Sequence, residues 1–470
     1  MLTQSQPEYK ATDTTRGAKP DALCDNVEIM QNLDGISRRS LLGAGVSALS
    51  LMGTRRARAA DGDRLKAGLV GCGGRGTQAV VDMLTGNEHV ELIAMADVFE
   101  DHLEQSLAHL RDPKFISRYA GITVDRGGEP REMNAEDLVA SIQPRIRVEP
   151  DHHFTGFEAY QKLLASDIDI VMLCTPPGFR PMHFEAAVNA GKHVFTEKPI
   201  ATDPVGARRF IAAGKLAAER KLTVVSGAQR HAHREYVETV DKIHNGQIGD
   251  ITALYSYYLS GPVFHADRRE PKWSDLEWEL RNWYSFIWIC GDQIVEQHFH
   301  NIDFMNWVMG GHPEKVVASG GAAWRPREEL YGNIYDHMSS DFTYPNGVHL
   351  SSHCRQYPKG VYNNVSDSIV GTKGRSNGMD MGAKGINPYV QEHINMMRSI
   401  RGDGPYLNYS QPVAESTLTA IMGRESAYSG QEITWDQIMN SQQDLMPKTL
   451  SDDVKLEPAV LPVPGTYKFV

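Results

Sequence analysis

The chain has 470 residues, 41% of them hydrophobic and 23% charged, the balance of a soluble globular protein with room for two or three domains. A net charge of −11, with no Lys/Arg-rich stripe, argues against a nucleic-acid partner. Five cysteines are too few for a disulfide framework.

Ser37-Arg38-Arg39-Ser40-Leu41-Leu42 is a twin-arginine pattern, followed by the mild apolar stretch Gly43 to Gly53 and an A-x-A cleavage site at Ala57-Arg58-Ala59. The apolar stretch is too short to span a bilayer. The expectation is a signal region over residues 1–60 and a mature protein that is periplasmic or otherwise exported. A polar lead of about 36 residues and the basic Arg55, Arg56 and Arg58 depart from the usual pattern. Cys24 would leave with the signal. Cys72 and Cys174 read as small buried thiols.

The apolar run Leu65 to Val70 predicts a strand, and Thr77 to Leu84 a helix. Between them Gly71, Gly73 and Gly76 fit G-x-G-x-x-G. Strand before and helix after is the context that makes this a dinucleotide fingerprint. Gly71 allows the tight turn, Gly73 lets backbone approach a pyrophosphate, and Gly76 allows close helix–strand packing. Val90 to Ala96 is the next strand. Asp97 ends it, 21 residues beyond Gly76, where an acid accepts ribose hydroxyls and repels a 2′-phosphate. NAD is therefore favoured over NADP. Asp97 is equally placed to cap a helix.

Residues 112–150 are polar, without a clear period, and read as an inserted loop. A helix over Phe157 to Leu164, a buried strand over Ile168 to Cys174 and a helix over Phe184 to Ala190 follow. Next come the strand His193 to Thr196, a helix near 203–220 and the strand Leu222 to Val225. After about residue 228 strand-like alternation recurs at Ile251 to Leu259, Lys315 to Gly320, Met338 to Phe342, Val348 to His353 and Ser366 to Val370. This predicts a large, mostly antiparallel open sheet. Helices are expected near 388–401 and at Val413 to Tyr428, then a Pro-rich arm. The fold class is α/β, with a doubly wound Rossmann domain over 61–200 and an α/β substrate and oligomerisation domain over 201–440. The helices at 203–220 and 388–428 pack back on the Rossmann side, and the arm covers 441–470.

Gly71 to Gly76, Asp97, Thr175-Pro176-Pro177 and the run from Ala190 to Glu197-Lys198-Pro199 together resemble the Gfo/Idh/MocA oxidoreductases, over essentially all of residues 65–440. The resemblance implies a cofactor-binding set of Gly71, Gly73, Gly74, Arg75, Gly76, Asp97, Thr175, Pro176, Glu197 and Lys198. It implies that Lys198 contacts both nicotinamide ribose and substrate hydroxyl. An ammonium beside a reacting alcohol stabilises developing alkoxide charge. Members of the family often carry an acid, three residues, then a histidine acting as general base. Glu296 and His300 match that spacing, with Glu in place of the usual Asp, and i,i+4 spacing on a helix sets Glu296 to orient His300. The catalytic candidates are thus Lys198, His300 and Glu296. The open sheet implies a homo-oligomer, dimer or tetramer.

His298 stands where the family usually has a small residue. It is read as a sugar ligand or as part of a metal site, although residues two apart on a helix diverge. His231-x-His233 is better spaced for a metal if it lies on a strand. Three or four ligands are needed, and no metal is expected. Aromatics are dense from Tyr255 to Trp288, with Arg268, Arg269 and Arg281 among them. They suit a sugar ring or a packed interface equally. Arg230, His231, His298, Trp283 and Tyr362 are the candidate substrate contacts. The expected activity is exported, NAD-dependent hydride transfer at a hydroxyl or keto carbon of a sugar, polyol or glycoside, with tightly bound cofactor. An NAD-using glycoside hydrolase and a non-catalytic binding protein are the alternatives.

Overall fold

The computed structural model describes residues 64–470 apart from 122, 126–129, 266, 267 and 452. The twin-arginine pattern and its cleavage site lie outside the described residues. Among the described residues no helix is long and apolar enough to cross a membrane.

Leu65, Ala67, Leu69 and Val70 are all buried, as a strand requires when helices cover both faces of a parallel sheet. Eight strands form in the first half: β1 (Leu65–Val70), β2 (Val90–Asp97), β3 (Thr123–Asp125), β4 (Pro130–Glu132), β5 (His153–Thr155), β6 (Ile170–Leu173), β7 (His193–Thr196) and β8 (Val224–Ser226). Six of them make a parallel sheet in the order β5-β2-β1-β6-β7-β8, and β3 and β4 pair as a separate hairpin. The strand order reverses between β1 and β6. The loops leaving these two strands therefore part, and a crevice opens at their carboxyl ends.

Two expectations need correction here. The sheet runs past residue 200 to Ser226, because the helix Pro204–Glu219 carries the chain across to a sixth strand. And residues 112–150 are not a plain loop. They hold the hairpin and the helix Ala135–Ile142, which buries Leu138 and Ile142 and is capped by Asn134 accepting from the Asp137 backbone N–H at 2.8 Å. Eight residues with two buried apolar positions are too short a run for periodicity to register.

The second half builds β9 (Ile251–Ser260), β10 (Lys315–Gly321), β11 (His337–Thr343), β12 (His349–Gln356), β13 (Asn364–Gly371), β14 (Arg375–Ser376) and β15 (Ile433–Thr434). They form one sheet in the order β14-β13-β9-β12-β11-β10-β15, antiparallel throughout except for β9 with β12. Met338, Ser340 and Phe342 point inward and alternate with His337, Ser339 and Asp341, so only one face is packed. The helix Ser410–Ser429 covers that face and is buried on every side from Ser416 onward. Its other flank lies on the helix Pro204–Glu219, where a Cβ on Gly214 would stand 2.0 Å from Ser410 Oγ. The helix Pro388–Arg401 likewise packs on the helix Gly74–Gly86, where a Cβ on Gly86 would meet Ile394 at 2.9 Å.

One fully buried arginine ties the halves together behind the crevice. Arg424 donates to the carbonyls of Thr202 (2.6 Å) and Gly291 (3.1 Å), to the Gln443 side chain (3.1 Å) and to the Glu425 carboxylate. It thereby fixes the segment that follows Lys198 against the turn that leads to Glu296.

Candidate active site

The carboxyl ends of β1, β2, β6 and β7 open onto a cleft of about 620 Å³, within the range of small-molecule sites. Its floor is the glycine loop. Gly71 has φ +96°, and a Cβ there would stand 2.6 Å from the backbone of Cys174 and Thr175. A Cβ on Gly76 would stand 2.0 Å from the Gly71 carbonyl oxygen. By contrast, Gly73 and Gly74 face open space. The helix that begins at Gly74 has neither a side-chain cap nor an acid in its first turn. Its leading N–H groups and positive dipole end are thus free to meet phosphate, and the cradle fits a dinucleotide pyrophosphate. Gly76→Ala is expected to weaken dinucleotide binding at least about tenfold, because the loop must open to admit the methyl. Fluorescence titration with a reduced nicotinamide dinucleotide measures this, and wild-type affinity in the variant would refute the assignment.

Asp97 ends β2 at the cleft wall. Its Oδ2 accepts from the Cys72 N–H at 2.6 Å and its Oδ1 from the Phe99 N–H at 2.9 Å. Burial pushes its pKa up, partly offset by those two backbone donors. Each oxygen keeps a lone pair for a ribose hydroxyl. Thr175 and Pro176 line the cleft beside the loop, Thr175 Oγ1 lying 3.1 Å from His183 Nδ1.

Arg75 and Glu197 also line the cleft, but they engage each other. Arg75 Nε donates to Glu197 Oε1 at 2.5 Å and Nη1 to Asp82 Oδ2 at 3.1 Å, with Glu392 at 3.6 Å and the Tyr389 ring below at 4.9 Å. Three carboxylates thus hold the Arg75 guanidinium, while the residue itself still lines the cleft. Burial works to raise the Glu197 pKa, but Arg75, Lys198 and Arg180 outweigh it and hold the carboxyl ionised.

Lys198 leaves the end of β7 and its ammonium donates to Glu296 twice, to the backbone carbonyl at 2.7 Å and to Oε2 at 3.1 Å. Burial raises the Glu296 carboxyl above its ordinary value, with Lys198 and Arg180 opposing. His300 lines the same cleft, and among the described residues its ring has no hydrogen-bond partner. Burial, together with the positive charges of Lys198, Arg230 and Arg75, pushes its pKa well below 6.5. A neutral imidazole, able to accept a proton, and a lysine ammonium thus open on one cavity with the dinucleotide cradle.

The expected helical face shared by Glu296 and His300 does not form. One helix spans Gln293–Glu296, the next begins at Phe299, and Gln297 and His298 form a turn between them. Glu296 turns to Lys198, so it orients the lysine rather than the histidine.

Of the expected substrate contacts, Trp283 lines the cleft, its ring stacked at 5.0 Å on His265. The other four are placed elsewhere. His298 is fully buried with Nε2 at 2.6 Å from Ser352 Oγ, where burial pushes its pKa to about 3, so it is a core histidine. Arg230 pairs with Asp367 at 2.8 Å under the Tyr236 and Phe304 rings, behind His300. His231 stacks on Trp307 and meets Asp303 at 2.9 Å. Tyr362 is 72% exposed in the loop between β12 and β13, away from the cleft. His231 and His233 sit at a 3₁₀ turn over Gln229–Ala232, not on a strand, and their rings part toward Asp303 and Glu235. Among the described residues no three His, Cys, Asp or Glu side chains converge as a metal site would require. Gln229, Tyr389 and Leu280 also line the cleft. Nothing in their sequence neighbourhoods marks them, since each arrives from a segment remote from the glycine loop.

Comparison with known proteins agrees with this geometry. Residues 65–227 match the model of an oxidoreductase family with an NAD-binding Rossmann fold, and residues 236–376 match the GFO/IDH/MocA C-terminal domain. The chain is 24% identical over 242 residues to the uncharacterized oxidoreductase YrbE of Bacillus subtilis, covering 51% of this chain and 63% of that one. It is 25% identical over 155 residues to the inositol 2-dehydrogenase of Rhizobium meliloti, covering 33% and 41%. The matched stretches thus span less than two thirds of either relative. The scyllo-inositol dehydrogenase of Lactobacillus casei, solved with NAD(H) and scyllo-inositol, superposes with a TM-score of 0.56 at 19% identity over 79% of this chain and 99% of that one, a likeness of fold. With both halves matched in order, and the nucleotide cradle and Lys198 at the expected places in the fold, the chain belongs to the Gfo/Idh/MocA oxidoreductase family.

Proposed function

We propose that this protein transfers hydride between NAD and a hydroxyl-bearing carbon of a sugar, polyol or glycoside, outside the cytoplasm and with its cofactor tightly held. The observation that carries the reading is the neutral His300 and the Lys198 ammonium opening on the cavity that holds the glycine cradle. Bound NAD supplies the hydride acceptor. His300 takes the hydroxyl proton as the carbon–hydrogen bond breaks. Lys198 stabilises the oxygen as it gains negative charge, and Glu296 fixes Lys198 through two acceptors on one residue. Trp283 offers an aromatic face to the substrate ring. The Asp97 carboxylate favours NAD over NADP.

The Arg38-Arg39 pattern supports export of the folded enzyme, and an exported enzyme has little access to free NAD. Val317 and Val365, more than half exposed on the outer face of the seven-stranded sheet, support self-association through that face. Purified mature protein is expected to release NAD on acid denaturation, detected by mass spectrometry. Reduced nicotinamide should appear when the holoenzyme meets its sugar or polyol. Protein that contains no nucleotide and cannot be loaded with any sinks the proposal.

A further inference from the structure

The end of the cleft beside Asp97 has a roof made by the other domain. Between β9 and the helix Ile287–Cys290 the chain forms the helix Asp275–Arg281 and reaches back to the turn that follows β2. Arg281 makes the crossing. Its guanidinium carbon lies 3.9 Å from the Phe99 ring centroid, two residues beyond Asp97. Its Nη1 donates to Asp101 Oδ2 at 3.0 Å and Nη2 faces Oδ1 at 3.4 Å, while Nε donates to Glu277 at 2.8 Å. All three nitrogens are engaged, and the side chain is only 17% exposed.

The roof is a packed wall. Leu276, Trp278 and Leu280 join Phe99 and Phe157 in one apolar cluster with Trp288, and Leu450 of the C-terminal arm packs against it. Phe157 follows β5, so the cluster grips both chain segments flanking Asp97. Leu280 and Arg281 face the same cavity as Asp97 and Ser106. A nucleotide whose ribose met Asp97 would lie in the cavity that Arg281 also lines.

We propose that Arg281 latches the second domain over the adenosine end of the cleft and thereby converts NAD from an exchanging coenzyme into a retained group. The inference rests on the dinucleotide reading above. It adds a residue and a mechanism for the retention which that reading requires. Arg281 acts as a positioning residue, through a charge-assisted pair and a cation–π contact on the Rossmann side.

The test is a chase. Full-length protein is loaded with etheno-NAD, passed through a desalting column and mixed with excess NAD, and fluorescence follows release. Arg281→Ala and Asp101→Asn are both expected to release nucleotide at least about tenfold faster than wild type, while melting temperatures hold. Arg281→Lys, which keeps the charge but loses the fork and the stacking, is expected to fall between. The Asp101 variant protects the test from misfolding, since that side chain is exposed on a surface helix. Raising ionic strength should speed wild-type release toward the variant rates. Unchanged release in both variants overturns the latch while leaving the NAD assignment intact. Failure of wild-type protein to take up any dinucleotide overturns the assignment and the latch together.

Discussion

Replacing Lys198 by methionine is expected to lower kcat by about three orders of magnitude while NAD stays bound. Removing one preorganised charge-stabilising donor costs on the order of 10²–10³ in rate, and disturbing the neighbouring base adds to it. Methionine keeps the length and the apolar stem, so packing changes little. The variant also leaves Glu296 buried without its cation. An uncompensated buried charge costs roughly 3–5 kcal/mol, but a carboxyl already raised by burial escapes by taking a proton. The sign with pH follows. Burial already raises this carboxyl and Lys198 opposes the rise, so in the variant the folded carboxyl is expected to titrate higher still; the unfolded chain then ionises first and stability falls as pH rises beyond 4.5. The melting-temperature deficit against wild type should therefore widen from acid to neutral pH. Adding Glu296→Gln should remove the pH dependence and leave kcat low. A kcat within tenfold of wild type would remove Lys198 from the mechanism.

The strands legible in the sequence are of two kinds. β1, β2, β6 and β7 are buried on both faces, so they read as mostly apolar runs, interrupted within by Lys66 and Glu91, and the glycine loop is pinned between a run and a helix. The outer domain was legible through alternation because one face of its sheet meets solvent. What escaped is held by tertiary contacts. The helix Ala135–Ile142 is too short to show a period. β8 was legible as a strand over Leu222 to Val225 and only its bounds escaped: it spans Val224–Ser226, held by β7 alongside it and by the Tyr409 N–H, which donates to the Val224 carbonyl at 3.0 Å.

The site divides in the same way. Lys198 and His300 were legible because the residue patterns around them, Glu197-Lys198-Pro199 and an acid, three residues, then a histidine, resemble those of the family. His298, Arg230, His231 and Tyr362 were candidates for the chemistry of their side chains, not for any position the fold had fixed. Their surroundings are set by partners far along the chain: Ser352 for His298, Asp367 for Arg230, Asp303 for His231. The turn at Gln297 and His298, and the pairing of Glu296 with Lys198, also undo the spacing argument that joined Glu296 to His300. A side chain's neighbours cannot be read from its own segment when satisfied core polar groups and site residues use the same residue types.

His300→Gln is expected to lower kcat/KM for substrate oxidation by about 10²–10⁴, the usual worth of a positioned general base. The pH profile separates its role from that of Glu296. A base must be unprotonated, and His300 is held well below 6.5 by burial first and by the Lys198, Arg230 and Arg75 charges after it. Wild-type kcat/KM should therefore hold steady through pH 6.5 and fall only at more acid pH. His300→Gln should abolish that acid limb, whereas Glu296→Gln should keep it. A limb that survives in His300→Gln would transfer the base role to the Glu296 carboxyl. Lys198 supplies the deciding check, because after burial itself its charge depresses the imidazole most. In Lys198→Met the residual activity should show its acid limb moved upward, toward 6.5. That shift requires the lysine and the histidine to feel each other across one cavity, as two groups acting on the same hydroxyl must.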